Sequence, residues 1–125
     1  MNPGASVRRL LARPDVAAVS GDAVDAFIAS GSTALFFAGD AARYPEVDDV
    51  AVVLPELIDA FSGRFRVGVI DADQEPDAAR RFGVRVRPTL VFVRDGARLG
   101  AIERMRDWAV YLAEIAAITA EPGES

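Results

Sequence analysis

The stretch from Phe82 to Val93 constrains this chain most. It reads Phe-Gly-Val-Arg-Val-Arg-Pro-Thr-Leu-Val-Phe-Val. An apolar helix end meets a glycine, then a basic turn, then a proline, then a strand. Thr89 to Val93 is β-branched, aromatic or aliphatic throughout, bounded by Pro88 and by Asp95-Gly96. That pattern suits a strand covered on both faces. Pro88 cannot donate to a ladder, so it belongs at the strand's first position. It also pushes Arg87 towards an extended conformation, and such a corner is a natural place for a cis X–Pro bond.

The rest of the chain alternates around this corner. Val16 to Val19 reads as a first strand. Ser20-Gly21-Asp22 starts a helix that carries Val24, Phe27 and Ile28 on one face and stops at Gly31-Ser32. Thr33 to Ala38 is a second buried strand, followed by a polar loop from Gly39 to Asp49. Val50, Val53, Leu54, Leu57, Ile58 and Phe61 recur at helical spacing, so a helix is expected from Val50 to Phe61. Pro55 should kink it, and Ser62-Gly63 ends it. Arg66 to Asp71 is a third strand. Pro76 suits the first turn of a short helix and Gly83 its C′ position. Asp95-Gly96 signals a hairpin, so Leu99 to Ile102 pairs antiparallel with the strand after Pro88. Met105, Trp108, Leu112, Ile115 and Ile118 should line one face of a last helix, with Trp108 in the core. Alternating strands and helices imply parallel pairing, and the final hairpin makes the sheet mixed. The expected class is α/β, a mixed central sheet with helices on both faces.

At 125 residues the chain reads as one domain (1–125), with a short arm or helix over 1–14 and a polar tail over 119–125. No apolar run is long enough to span a membrane, so no direct membrane insertion is expected. A net charge of -5 argues against non-specific nucleic-acid binding. Arg8-Arg9-Leu10-Leu11 resembles the opening of an export signal, but Arg13, Pro14 and Asp15 interrupt the apolar stretch. The expected location is the cytoplasm. There is no Cys and no His, which excludes thiol redox chemistry, the usual zinc sites and a Ser-His-Asp arrangement. No carboxylate spacing asks for a metal, and no cofactor is expected. Charge is unevenly spread. Asp40, Glu46, Asp48, Asp49, Glu56 and Asp59 gather in one segment with Arg43 as its only arginine. Eight of the fourteen arginines lie between Arg80 and Arg106.

Element order, together with Asp71-Ala72-Asp73-Gln74-Glu75-Pro76, Phe82-Gly83-Val84, Pro88-Thr89-Leu90 and Asp95-Gly96, resembles the thioredoxin fold from Val16 to Ile118. The resemblance implies that Pro88 is the cis-proline and Pro55 the kink proline of the second helix. Counting back from Pro55, the redox cysteines of that fold fall on Val47 and Val50, and its buried acid falls near Leu35. Valine cannot replace a thiolate nucleophile. Tyr44-Pro45-Glu46-Val47 with Asp49, Arg81-Phe82-Gly83-Val84, Pro88-Thr89-Leu90-Val91-Phe92 and Asp107-Trp108-Ala109 resemble the HyaE/HupG family of hydrogenase expression proteins. That resemblance implies a non-enzymatic role in maturing a membrane-bound uptake nickel–iron hydrogenase, with recognition of the twin-arginine signal region of the small-subunit precursor.

The expected site is a peptide groove beside Pro88. One wall runs from Arg85 to Pro88, including Arg87, and the other from Gly39 to Val50. Glu46, Asp48 and Asp49 suit an arginine-rich guest, and Val47 and Val50 would offer it apolar contact. Asp48 and Asp49 equally suit capping of the helix that follows. A second reading is a redox-inactive scaffold that binds another folded maturation protein. A third, a glutathione-dependent transferase, needs a Ser, Tyr or Cys at the start of the second helix; Val47 to Val50 supplies none, and Tyr44 is the nearest candidate.

Overall fold

A computed structural model describes residues 5–40, 43–71 and 75–120. Residues 41–42 of the acidic loop, residues 72–74 of the Asp71–Pro76 stretch and the tail from 121 lie outside the described residues. The elements are α1 (Ala5–Leu11), β1 (Val16–Val19), α2 (Val24–Ile28, entered through a 3₁₀ turn, Gly21–Ala23), β2 (Ser32–Phe37), α3 (Glu46–Ala60), β3 (Arg66–Ile70), α4 (Glu75–Phe82), β4 (Thr89–Arg94), β5 (Ala97–Glu103) and α5 (Trp108–Ile118).

The five strands form one sheet in the order β1-β3-β2-β4-β5. β3 pairs in parallel with β1 and β2, while β4 pairs antiparallel with β2 and β5. The mixed sheet expected from the sequence is the one observed. Side chains alternate across it with the period of two that a strand imposes. Ala34, Phe36, Val67, Val69, Leu90 and Phe92 face α1, α3 and α5. Leu35, Phe37, Ile70, Val91 and Val93 face α2 and α4. β2 and β4 are buried along nearly their whole length because both faces are covered.

Local chemistry explains the ends of these elements. α4 stops in a paired-bond cap: Gly83, at φ +71°, donates to Arg80 O, and Val84 N donates to Ala79 O (2.8 Å). This is the left-handed C′ that glycine adopts without a Cβ penalty. Asp95 (φ 50°) and Gly96 (φ 84°) both turn left-handed in the β4–β5 hairpin, as a two-residue turn matched to strand twist requires. β5 is longer than expected, and its register shifts by a residue opposite Phe92 and Val93. Gly100 there leaves room for Ile118, which a Cβ would meet at 3.3 Å.

Two helices differ from expectation. α3 begins at Glu46, four residues before the expected start at Val50, and runs through Pro55 to Ala60. The apolar stripe continues back through Val47, so Val47, Val50, Ala51, Leu54, Leu57 and Ile58 are all buried. Only packing shows that Val47 belongs to that stripe, because the intervening acids read equally well as loop. In α5 the buried face begins one turn later than expected. Tyr111 and Ile115 are buried, while Trp108, expected in the core, is 43% exposed. The helix starts at Trp108, and the core it covers is met only from Tyr111 onward.

Candidate functional site

Burying a carboxylate is costly unless it is paired and hydrogen-bonded. Glu75, at the first position of α4, is 5% exposed and satisfies that demand twice. Oε1 pairs with Arg87 Nε, and Oε2 accepts from Gly39 N (3.1 Å). One carboxylate thus ties the end of β2, the start of α4 and the residue before Pro88. Gly39 sits at φ +70°, and a Cβ there would meet the Tyr44 ring at 2.9 Å and Arg87 Cγ at 3.0 Å. Only glycine allows that approach without displacing one of them.

The Arg87–Pro88 bond is cis, as the resemblance to the thioredoxin fold implied. Pro88 is buried. Its carbonyl accepts from Arg104 N (2.7 Å), and Thr89 Oγ1 donates to Val86 O (2.9 Å). Arg104 lies just past β5 at φ +64°, a left-handed conformation unfavourable for a side chain with a Cβ. It is held on its other side by the Tyr111 hydroxyl, which donates to Arg104 O (2.9 Å). Tyr111 is 1% exposed, and burial pushes its hydroxyl pKa upward.

Between the first turn of α3 and this loop lies an open cleft of about 310 Å³, with Arg43, Tyr44, Glu46, Arg85, Val86 and Arg104 among its lining. A second hollow of about 300 Å³ adjoins it, with Asp40 and Pro76 in its lining. The two share Arg43, Tyr44 and Arg87.

The residues singled out in the sequence separate here. Glu46 rims the cleft and stands 4.0 Å from Arg104. Asp49 is exposed on the same turn, and Asp48 is half-buried. Neither aspartate is the N-cap: that position is Pro45, with no side-chain cap bond. Asp48 Oδ1 is buried with no hydrogen-bond partner among the described residues. Val47 and Val50 are 0% and 2% exposed. Their expected apolar contact with a guest is corrected, because helical phase turns both into the core. Arg87 is held by Glu75, and buried Pro88 acts through its backbone; the exposed wall is Arg85, with Val86 half-exposed. Glu75, Arg104 and Tyr111 went unrecognised as site residues. The i, i+4 spacing of Tyr111 with Ile115 carried a signal; the pairing of Glu75 and the backbone of Arg104 are tertiary facts.

The fold and this site define a class: a thioredoxin-like domain, with Val47 and Val50 buried in its core. A segment of 53 residues is 32% identical to thioredoxin 1 of Synechococcus elongatus, covering 42% of this chain and 50% of that protein. The family more specific than the fold is also clear. The sequence model described as "Hydrogenase-1 expression protein HyaE" matches residues 6–111. The chain is 44% identical over 119 residues to the hydrogenase expression/formation protein HoxO of Cupriavidus necator, covering 93% of this chain and 74% of that one. It resembles a crystal structure of a putative hydrogenase expression/formation protein, hupG, from Rhodopseudomonas palustris, with TM-score 0.60, 44% identity, and coverage of 87% of this chain and 99% of that one. The chain belongs to the HyaE family of hydrogenase expression proteins.

Proposed function

We propose that this protein is a non-catalytic assembly factor for an uptake nickel–iron hydrogenase, acting in the cytoplasm as a single domain. Its guest is the twin-arginine signal region of the small-subunit precursor. The observation that carries this reading is the acidic first turn of α3, where Glu46 lines the cleft beside the cis-proline loop and Asp49 is exposed on the same turn. Carboxylates in that position suit guanidinium groups. The loop offers backbone beside which an extended chain can lie. A protein with no Cys and no His has no thiol or imidazole to react with what it holds.

The test is fluorescence anisotropy with a labelled small-subunit signal peptide. Glu46→Lys/Asp49→Lys should weaken binding about tenfold, since exposed pairs that are individually weak act together. A signal peptide with both arginines replaced by glutamine should bind no better to wild type than to the variant. Unchanged affinity in the variant removes the acidic turn from the site.

A second reading has its own observation. Trp108 and Val110 are large, apolar and exposed on α5, which suits a folded maturation partner. Crosslinks to such a partner that cluster on α5, and not near Arg85, would favour it.

A further inference from the structure

We propose that the cleft between α3 and the cis-proline loop is also a receptor for an acidic segment of a partner polypeptide, seating side-chain carboxylates among Arg43, Arg85 and Arg104. The groove expected from the sequence had one basic wall, at Arg85 and Arg87, and one acidic wall, at Glu46, Asp48 and Asp49. The structure brings Arg43, Arg85, Arg87 and Arg104 to its lining against Glu46. These arginines come from three separate places: the loop before α3, the turn before Pro88 and the residue after β5.

Their pairing separates them into spent and available groups. Arg87 is committed to Glu75. Arg104 reaches Glu46 only at 4.0 Å, with both side chains well exposed, so a closer carboxylate would displace that contact. Arg43 lies over the Tyr44 ring at 5.5 Å from its centroid, a contact that uses the face of the guanidinium and none of its N–H donors. Arg85 is exposed, and among the described residues no carboxylate pairs with it or with Arg43. Clustered guanidiniums repel one another, and an anion between them removes that repulsion.

The backbone under Arg104 points the same way. Arginine is a poor choice at φ +64° where glycine or asparagine would sit without strain. Two hydrogen bonds, to Pro88 O and from the buried Tyr111, hold it there. They fix the origin of this side chain relative to the cis-proline loop.

The shape selects a polypeptide over a small anion. The cleft adjoins the second hollow across the shared Arg43, Tyr44 and Arg87, so the two together span more than one phosphate or free carboxylate covers. Because the whole chain is net negative, attraction for an acidic guest is local and should weaken with added salt.

The experiment uses the full chain and a labelled dodecapeptide of alternating glutamate and threonine. Its counterpart carries glutamine for glutamate. At low ionic strength the glutamate peptide should bind about tenfold more tightly than the glutamine one. Arg43→Gln/Arg85→Gln should weaken it about fivefold or more, and Arg80→Gln, on the exposed side of α4, should leave it unchanged. Arg104→Gly suits the left-handed backbone at this position and removes the whole side chain, the guanidinium included. It should weaken binding with the thermal midpoint held or raised, which a purely structural role would not produce. Equal binding of the two peptides, or full binding by the arginine variants, overturns the proposal. So does displacement of the peptide by millimolar inorganic phosphate as effective as that by unlabelled peptide. The arginine-signal peptide rests on Glu46 and Asp49, so either reading can fail while the other stands.

Discussion

Glu75 shows how one residue organises a loop that it does not belong to. Its carboxylate is matched by Arg87 and Gly39, so removing one partner leaves a buried charge uncompensated. Arg87→Ala should cost about 3 kcal/mol, read as a lower urea midpoint at pH 7; a loss under 1 kcal/mol would mean the pair is dispensable. Tyr111 makes a pH-dependent contribution. Burial raises its pKa above the ordinary phenol value. A raised folded-state pKa means stability is complete below the unfolded value of about 10 and is lost as pH rises through the folded value. Tyr111→Phe should lose about 1 kcal/mol near neutrality, with the bond to Arg104 O gone. Its stability should then fall less steeply than wild type between pH 9 and 11. Parallel curves for the two proteins would contradict this.

At the scale of elements, the start of α3 matters most. An α3 beginning at Val50 would have left Glu46 to Asp49 as loop and Val47 on its surface. An α3 beginning at Glu46 turns Val47 and Val50 inward and leaves Glu46 and Asp49 outside. Restoring cysteines should therefore not restore a reactive dithiol. In Val47→Cys/Val50→Cys the thiols should react with a disulfide reagent at least about a hundredfold more slowly in native protein than in urea, as buried thiols do. Rapid native labelling would show that the first turn of α3 opens. α4 was more legible. Pro76 and Gly83 mark its two ends by backbone chemistry that needs no partner, and both ends fall where those residues put them. Trp108 departs from expectation for the opposite reason, since helical spacing says which residues share a face but not where along the helix the core begins.

Across the whole molecule, the sheet divides two cores, and α1 closes one of them. Val7 and Leu10 of α1 are buried in the same cluster as Val50, Leu54 and Phe92. Leu10→Ala should therefore destabilise the domain by about 3 kcal/mol and lower a single urea transition; a separate early transition would mean α1 unfolds independently. The sequence alone determined the element order, the mixed sheet and the absence of thiol chemistry. Each rests on local periodicity, on turn residues, or on residue types that are simply missing. The tertiary structure decided the character of the corner at Pro88. The arginines at positions 43, 85 and 104 lie far apart along the chain, and Glu75 reaches Arg87 only through the packing of α4 against the sheet. Charge counted along the chain predicted one acidic and one basic wall. The assembled cleft adds Arg43 and Arg104 to its arginines, because a groove is lined by whichever loops the fold gathers there.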